Sequence, residues 1–185
     1  MAEPDMPLRE LYVQPGESHL VSEPTLMRTL LGSCVGITFL VPRLGIGALC
    51  HPMMPKCPPN QLRKLSVLAG RRYVDYAIRD MASQLDAAGA TRAEAVVKIF
   101  GGNDVLTIGA GNSARTIGKL NSEAAVRVLA EEGFSVSASR LGGTTGVHIS
   151  FDTATGEVLL RQLDSGGTHS GRKSARHAHR HHGSR

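Results

Sequence analysis

The chain has 185 residues, enough for one domain with a substantial core, and 41% of them are hydrophobic, an ordinary share for a globular protein. No apolar run is long enough to cross a bilayer, and the acidic segment Met1–Asp5 lacks signal-peptide character, so we expect no membrane insertion. The three cysteines are an odd number, which argues against a disulfide framework and predicts a reducing, cytoplasmic location.

The net charge of +5 comes from one end of the sequence. Residues 165–185 contain five basic residues and no acidic one, and the other 16 basic residues are balanced by 16 acidic ones. Specific nucleic-acid binding is therefore not expected. The Gly, Ser, His and Arg content of this segment predicts a disordered tail after a domain at residues 1–164. Four of its histidines, His177, His179, His181 and His182, could bind nickel or zinc, but tracts of this kind more often bind nothing specific, so no metal or cofactor is predicted.

Short strands and two main helices are predicted along the chain. Period-two alternation and turn residues such as Pro42 and Gly45 indicate strands, and an apolar stripe at helical spacing before Gly89 indicates a helix. Asn121 is predicted to cap a second helix that ends at Gly133. This content indicates an α+β fold in which sheets pack on one another and helices cover one side. The predicted strands span residues 11–14, 21–31, 35–41, 46–50, 93–100, 135–141, 147–152 and 157–163, and the first main helix spans residues 72–88.

One motif in the loop between residues 101 and 116 suggests nucleotide binding. The segment Gly109-Ala-Gly-Asn-Ser-Ala114 has the spacing of a dinucleotide fingerprint. Such a fingerprint needs a helix that opens at its third position after a full strand, but the strand predicted before this loop is too short and no helix is predicted to open there. Nucleotide binding is therefore not predicted.

Cys34 and His51 lie at opposite ends of a predicted β-hairpin. With the turn centred just after Arg43, Cys34 faces Met53, and His51 lies two residues along on the same face. A thiol and an imidazole within reach of each other can serve as a nucleophile and its base. Cysteines often pack as small hydrophobes, and a histidine near a strand end is more often structural, so the residues alone leave both interpretations open.

Several short motifs in a fixed order give these two residues a context. They are Leu31-Gly-Ser-Cys-Val35, Gly47-Ala-Leu-Cys-His-Pro-Met-Met-Pro55, Lys98-Ile-Phe-Gly-Gly102, Ile117-Gly-Lys-Leu-Asn121 and Phe151-Asp-Thr-Ala-Thr-Gly-Glu-Val158. The ordered set resembles CheD, the chemoreceptor glutamine deamidase family of bacterial and archaeal chemotaxis, across nearly all of the chain before its tail. The resemblance implies a three-layer α/β/β sandwich with mixed sheets.

The resemblance also implies a protein-glutamine glutaminase with a Cys-His-Thr triad. Cys34 matches the nucleophile, His51 matches the base, and Thr29 is the nearest candidate for the threonine that orients the imidazole. The expected reaction converts a chemoreceptor glutamine to glutamate through a cysteine thioester. The backbone N–H groups near Gly32, Ser33 and Cys34 are expected to hold the oxyanion.

The residues and the resemblance leave three alternatives. Some CheD proteins carry the triad threonine one position earlier, where this chain has Arg28. The resemblance also implies association with a CheC-type chemotaxis phosphatase, and a non-catalytic adaptor would need that surface but not the thiol. A metal site built from Cys50, His51 and Cys57 is disfavoured, because adjacent strand residues point to opposite faces.

Overall fold

The computed structural model describes residues 8–62, 64–104 and 116–163. Within these ranges the chain forms nine strands in two sheets, together with four α-helices of which two are long. The strands are β1 (Arg9–Tyr12), β2 (Ser18–Val21), β3 (Thr25–Leu31), β4 (Val35–Val41), β5 (Ile46–Cys50), β6 (Val96–Gly101), β7 (Val136–Leu141), β8 (Val147–Asp152) and β9 (Val158–Gln162). The helices are α1 (Pro59–Leu62), α2 (Val67–Gly70), α3 (Val74–Ala87) and α4 (Ile117–Glu131).

The two sheets stack face to face, and the long helices cover one of them. The four-stranded sheet has the order β1-β3-β8-β9 and the five-stranded sheet the order β2-β5-β4-β6-β7. Each sheet is mixed, because β1 runs parallel to β3 and β6 runs parallel to β7 while the other pairs are antiparallel. Helices α3 and α4 pack on the five-stranded sheet. The predicted α+β fold, a three-layer α/β/β sandwich, is confirmed.

The hairpin of β4 and β5 lies at the centre of the molecule. Every residue of both strands is buried. Val35, Ile37 and Phe39 face the helices, whereas Leu40 and Leu49 face the four-stranded sheet. A strand that is covered on both faces needs apolar residues at successive positions, which explains the nearly continuous apolar run in the sequence.

The turn of this hairpin has the predicted location. Pro42–Leu44 form one turn of 3₁₀ helix, and Gly45 follows with φ of +62°. Its N–H donates to the carbonyl oxygen of Pro42 at 3.1 Å. Proline supplies the φ angle at the start of the turn, and glycine adopts the left-handed conformation at its end without steric cost.

Two predicted strand starts were wrong by three or four residues. The strand expected from Val21 begins at Thr25 as β3, after a bend at residues 22–24, and Val21 is instead the last residue of β2, a strand of the other sheet that was not predicted. The strand expected from Ala93 begins at Val96, because residues 92–94 form a 3₁₀ turn. The side chains of Thr91 and Glu94 cap that turn reciprocally. Local turn chemistry therefore overrides strand propensity at both boundaries.

The predicted start of the second long helix was also wrong. Helix α4 begins at Ile117, and the Thr116 hydroxyl caps it by accepting from the Lys119 N–H at 3.2 Å. Asn121, predicted as the cap, lies inside the helix and is fully buried. Threonine and asparagine both suit the cap position, so the local sequence does not distinguish them.

Some predictions fall outside the described residues. These are the fingerprint-like segment 109–114 and the C-terminal tail 165–185. Across the ranges the structure does describe, no helix has both the length and the apolar content that a membrane span requires.

Candidate active site

The β4–β5 register places Cys34 and His51 on the same side of the hairpin. Ile37 pairs with Cys50, the register that the turn position predicts. Beyond the strand ends the pairing continues, since the Val35 N–H donates to the Pro52 carbonyl oxygen at 3.3 Å. Cys50 faces the helices and Cys34 packs against the inter-sheet cluster. The side chain of His51 points to the opposite face from Cys50, toward the four-stranded sheet, where it forms a hydrogen bond with Thr29 of β3.

The backbone of His51 is held by the turn between β1 and β2. Its N–H donates to the carbonyl oxygen of Glu17 at 2.8 Å, and its carbonyl oxygen accepts from the Gly16 N–H at 2.7 Å. Gly16 has φ of +86°, a value that glycine adopts readily. The imidazole is therefore attached to a fixed backbone, and only 1% of the residue surface is exposed.

A chain of hydrogen bonds sets the tautomer of His51. Nδ1 lies 2.7 Å from Oγ1 of Thr29, which lies 2.7 Å from the carbonyl oxygen of Val13. A carbonyl oxygen only accepts, so the single hydroxyl proton of Thr29 is donated to Val13. The Thr29 oxygen then accepts from Nδ1–H of His51. Nε2 consequently carries a free lone pair and can act as a base.

The structure distinguishes Thr29 from the alternative at position 28. The Arg28 guanidinium lies on the outer face of the four-stranded sheet, where Nη1 donates to Glu10 at 3.0 Å. Neighbouring residues in a strand point to opposite faces, so Thr29 points inward to His51 and Arg28 does not. The hydroxyl partner of the imidazole is Thr29.

Burial favours the neutral form of both the thiol and the imidazole. Burial raises the pKa of the Cys34 thiol, an effect that its own backbone N–H partly offsets. Burial lowers the pKa of His51, against opposing contributions from the Val13 carbonyl and the Glu17 carboxylate. Nε2 of His51 is buried and forms no hydrogen bond with Cys34 or with any other described residue. A thiolate and an imidazolium would therefore form only during the reaction.

The loop that carries Cys34 is fixed through three successive carbonyl groups. The Gly32 oxygen accepts from the Asn103 N–H at 2.9 Å, and the Cys34 oxygen accepts from the Gly102 N–H at 2.7 Å. Between them the Ser33 oxygen accepts from the side chain of Asn121 at 2.8 Å. Among the described residues, no acceptor outside residue 34 bonds to the N–H of Ser33 or Cys34. Within the described part of the chain, these two donors are therefore available to a substrate oxygen.

Several of these groups were not found by sequence reasoning. The Val13 carbonyl, Asn103 and Asn121 lie far from Cys34 and His51 along the chain, and backbone contacts of this kind leave no residue-type signal. Asn121 and Gly102 do lie within motifs that resemble CheD. Over the described residues, no cluster of His, Cys, Asp and Glu has the arrangement of a metal site, and Cys50 faces away from His51.

Gly101→Ala is expected to destabilise the protein more than Gly89→Ala. Gly101 has φ of +91°, and an added Cβ would lie 2.5 Å from the carbonyl oxygen of Cys34. Gly89 has φ of +78°, but its added Cβ meets no atom within 4 Å, so this variant isolates the conformational cost. We expect the free energy of unfolding to fall by about 3 kcal/mol in G101A and by about 1 kcal/mol in G89A. Urea unfolding measures both, and equal losses would contradict the steric argument.

Thr29→Val is expected to lower the activity proposed below without abolishing it. Valine retains the shape of threonine but leaves His51 Nδ1 with only the Val13 carbonyl, 3.4 Å away. We expect kcat to fall roughly 10- to 100-fold, since the tautomer is then held less firmly. Thr25→Val is the matched control, because Thr25 is another fully buried threonine of β3 whose hydroxyl donates to Glu23 instead. Equal kcat values for the two variants would exclude an orienting role for Thr29.

A half-buried thiol beside a hairpin, with an imidazole oriented by a hydroxyl on the same side, has the arrangement of a cysteine-dependent hydrolase. The comparisons with known proteins then give the family. The family model described as "CheD chemotactic sensory transduction" matches residues 53–162. This chain belongs to the CheD family.

Three curated relatives are similar to most of the chain. "Probable chemoreceptor glutamine deamidase CheD 2" of Geobacter sulfurreducens is 38% identical over 157 residues, covering 85% of this chain and 92% of the relative. "Probable chemoreceptor glutamine deamidase CheD 2" of Albidiferax ferrireducens is 33% identical, covering 89% of this chain and 93% of the relative. "Probable chemoreceptor glutamine deamidase CheD" of Pseudomonas savastanoi is 35% identical, covering 82% of this chain and 84% of the relative.

Proposed function

We propose that this protein is a protein-glutamine deamidase that converts glutamine side chains of chemoreceptors to glutamate in chemotaxis. Membership of the CheD family and the names of the curated relatives support this assignment. The observation that carries the mechanism is the hydrogen-bond chain from His51 through Thr29 to Val13. It leaves Nε2 as an unprotonated base on the side of the hairpin where Cys34 lies.

In the first half of the reaction, Nε2 of His51 takes the proton of the Cys34 thiol as the sulfur attacks the carboxamide carbon. The new C–S bond converts the carbonyl oxygen to an oxyanion, which the N–H groups of Ser33 and Cys34 stabilise. His51 then returns the proton to the leaving nitrogen, so that ammonia departs and a thioester remains.

In the second half, His51 Nε2 takes a proton from a water molecule that attacks the thioester carbon. The C–S bond breaks, the sulfur leaves as thiolate, and His51 returns the proton to it. The products are glutamate and the resting Cys34 thiol. No redox equivalent and no second substrate besides water is consumed, so this reaction needs no cofactor.

The pH dependence follows from the directions of the two pKa shifts. The reaction needs a neutral His51 and a protonated Cys34, or the equivalent ion pair. Burial lowers the pKa of His51, so activity is lost only as pH falls below the ordinary histidine value of about 6.5. Burial raises the pKa of Cys34, so the alkaline limb lies above the ordinary thiol value of about 8.5. We expect kcat/KM to be level from about pH 6.5 to 8.5, and an acid limb centred above pH 7 would contradict this assignment.

The reaction is tested with a purified cytoplasmic fragment of a chemoreceptor. We expect mass spectrometry to find a gain of about one dalton at individual glutamines, with release of one ammonia per conversion. A fragment in which the modified glutamine is replaced by leucine controls for chemical deamidation elsewhere. If no glutamine of any receptor fragment changes mass and no ammonia is released, the proposed function is wrong.

Partner and compartment are further parts of this proposal. Association with a CheC-type phosphatase rests on the resemblance to CheD, and a protein that bound such a partner without deamidating receptor fragments would be an adaptor. The cytoplasm is the proposed location, because receptor glutamines accessible to chemotaxis enzymes lie there and a nucleophilic thiol needs reducing conditions. All three cysteines are free thiols in the structure, in accord with that location.

A further inference from the structure

Asn121 joins the two segments that carry the thiol and the imidazole. It lies in the first turns of α4 and is fully buried. Its Nδ2 donates to the Ser33 carbonyl oxygen at 2.8 Å and to the Met53 carbonyl oxygen at 2.9 Å. Ser33 directly precedes Cys34, and Met53 follows His51 by two positions. One amide group therefore fixes the distance between the nucleophile loop and the end of the base strand.

The orientation of this amide is determined by its partners. Both partners are carbonyl oxygens, which only accept, so the NH₂ group and not Oδ1 must face them. Oδ1 is buried and has no hydrogen-bond partner among the described residues. An unpaired buried acceptor costs free energy. The unpaired Oδ1 of Asn121 therefore lowers stability, while its NH₂ group satisfies two backbone oxygens beside the candidate site.

The peptide geometry makes this contact relevant to catalysis. The described residues contain no cis peptide bond, and in a trans peptide the C=O and N–H groups point in opposite directions. Because Asn121 holds the Ser33 C=O toward α4, the Cys34 N–H of the same peptide points away from α4. Asn103 and Gly102 fix the two flanking peptides through the Gly32 and Cys34 carbonyl groups. The side chain of Asn121 therefore sets the direction of the Cys34 N–H.

We propose that Asn121 is a positioning residue that directs the Cys34 N–H at the oxyanion and holds the Cys34 loop against the segment after His51. This inference rests on the proposed function, because the oxyanion is that of the deamidation reaction. A donor that acts on the oxyanion contributes in the transition state and not in the bound ground state. Loss of its alignment should lower kcat and leave KM nearly unchanged.

The test uses two variants of similar shape and one stability control. Asn121→Leu removes both donors, and Asn121→Asp retains at most one. Val128→Ala opens the core under the same helix at a fully buried position about two helical turns beyond Asn121. We expect kcat to fall about 100-fold in N121L and at least about tenfold in N121D, with KM within about twofold of wild type in both. V128A should keep the wild-type kcat, and equal effects in N121L and V128A would overturn the proposal.

A second measurement separates this proposal from the proposed function. Amide hydrogen exchange followed by mass spectrometry reports on the Val35 N–H, whose bond to Pro52 depends on the two segments staying together. We expect exchange in a peptide covering residues 33–36 to be about tenfold faster in N121L and unchanged in V128A under native conditions.

If wild-type protein deamidates no receptor fragment, the proposed function fails and hydrogen exchange alone decides whether Asn121 joins the segments. Faster exchange in N121L but not in V128A would then still support the proposal that Asn121 holds the Cys34 loop in position. Unchanged exchange in N121L would overturn that proposal. If deamidation occurs but N121L changes KM and not kcat, Asn121 affects substrate binding and the proposed alignment of the Cys34 N–H is wrong.

Discussion

Cys34→Ala is expected to abolish deamidation while the protein stays folded. Cys34 is the half-buried thiol on the side of the hairpin that His51 faces, and Cys50 and Cys57 are buried elsewhere. Without sulfur no thioester forms, and water would have to attack an amide directly. We expect kcat/KM to fall by about 10⁴-fold or more. Ammonia release and the mass of the receptor fragment measure the loss.

The matched control for this prediction is Cys57→Ala. Cys57 is a buried cysteine, whereas Cys34 is half-buried, and the backbone N–H of Cys57 donates to Asp75, a contact that alanine retains. C57A should deamidate at the wild-type rate. Rapid acid quenching of wild-type protein with a glutamine peptide should trap a covalent adduct that maps to Cys34. Full activity in C34A, or an adduct at another residue, would show that Cys34 is not the nucleophile, and the proposed mechanism would be wrong.

The hairpin and its chemistry were predictable because their signals are local. Alternation from Val35 to Val41 and the Pro42 and Gly45 turn residues fix both strands and their register within 17 positions of sequence. Once the register is known, the shared face of Cys34 and His51 follows from the two-residue period of a strand. The resemblance to CheD added Thr29, which no pattern in the residues alone selects.

The long-range hydrogen bonds that hold the candidate site together could not be predicted in the same way. Asn121 contacts Ser33 across 88 positions and Met53 across 68, and in both cases the acceptor is a backbone oxygen. A backbone oxygen is present at every residue, so the sequence contains no trace of which one is used. Asparagine is also a preferred N-cap residue, and this preference led to the wrong predicted start of α4. The break between β2 and β3 was missed although the bend at residues 22–24 contains Pro24, which lacks the N–H that the interior of a strand needs.

His51→Gln is expected to lower kcat/KM by about 10³- to 10⁴-fold, less than the loss of the thiol. Glutamine keeps a polar side chain that can donate to Oγ1 of Thr29, but it cannot take a proton from Cys34. The residual rate should rise with pH, because only ionisation by the solvent then produces thiolate. Burial raises the pKa of Cys34, so this rise should extend above about pH 8.5. A rate that stayed level with pH in H51Q would identify another base.

The same variant checks the ionisation of His51 through protein stability. Burial lowers the pKa of His51 in the folded protein, so below about pH 6.5 the unfolded chain binds more protons than the folded one. The stability of the wild type should therefore decrease as pH falls through this range, and the decrease should be smaller in H51Q. Urea unfolding at pH 7.5 and at pH 5.5 measures the difference. If stability changed equally in both proteins, His51 would not be the buried neutral base on which the proton transfer from Cys34 depends.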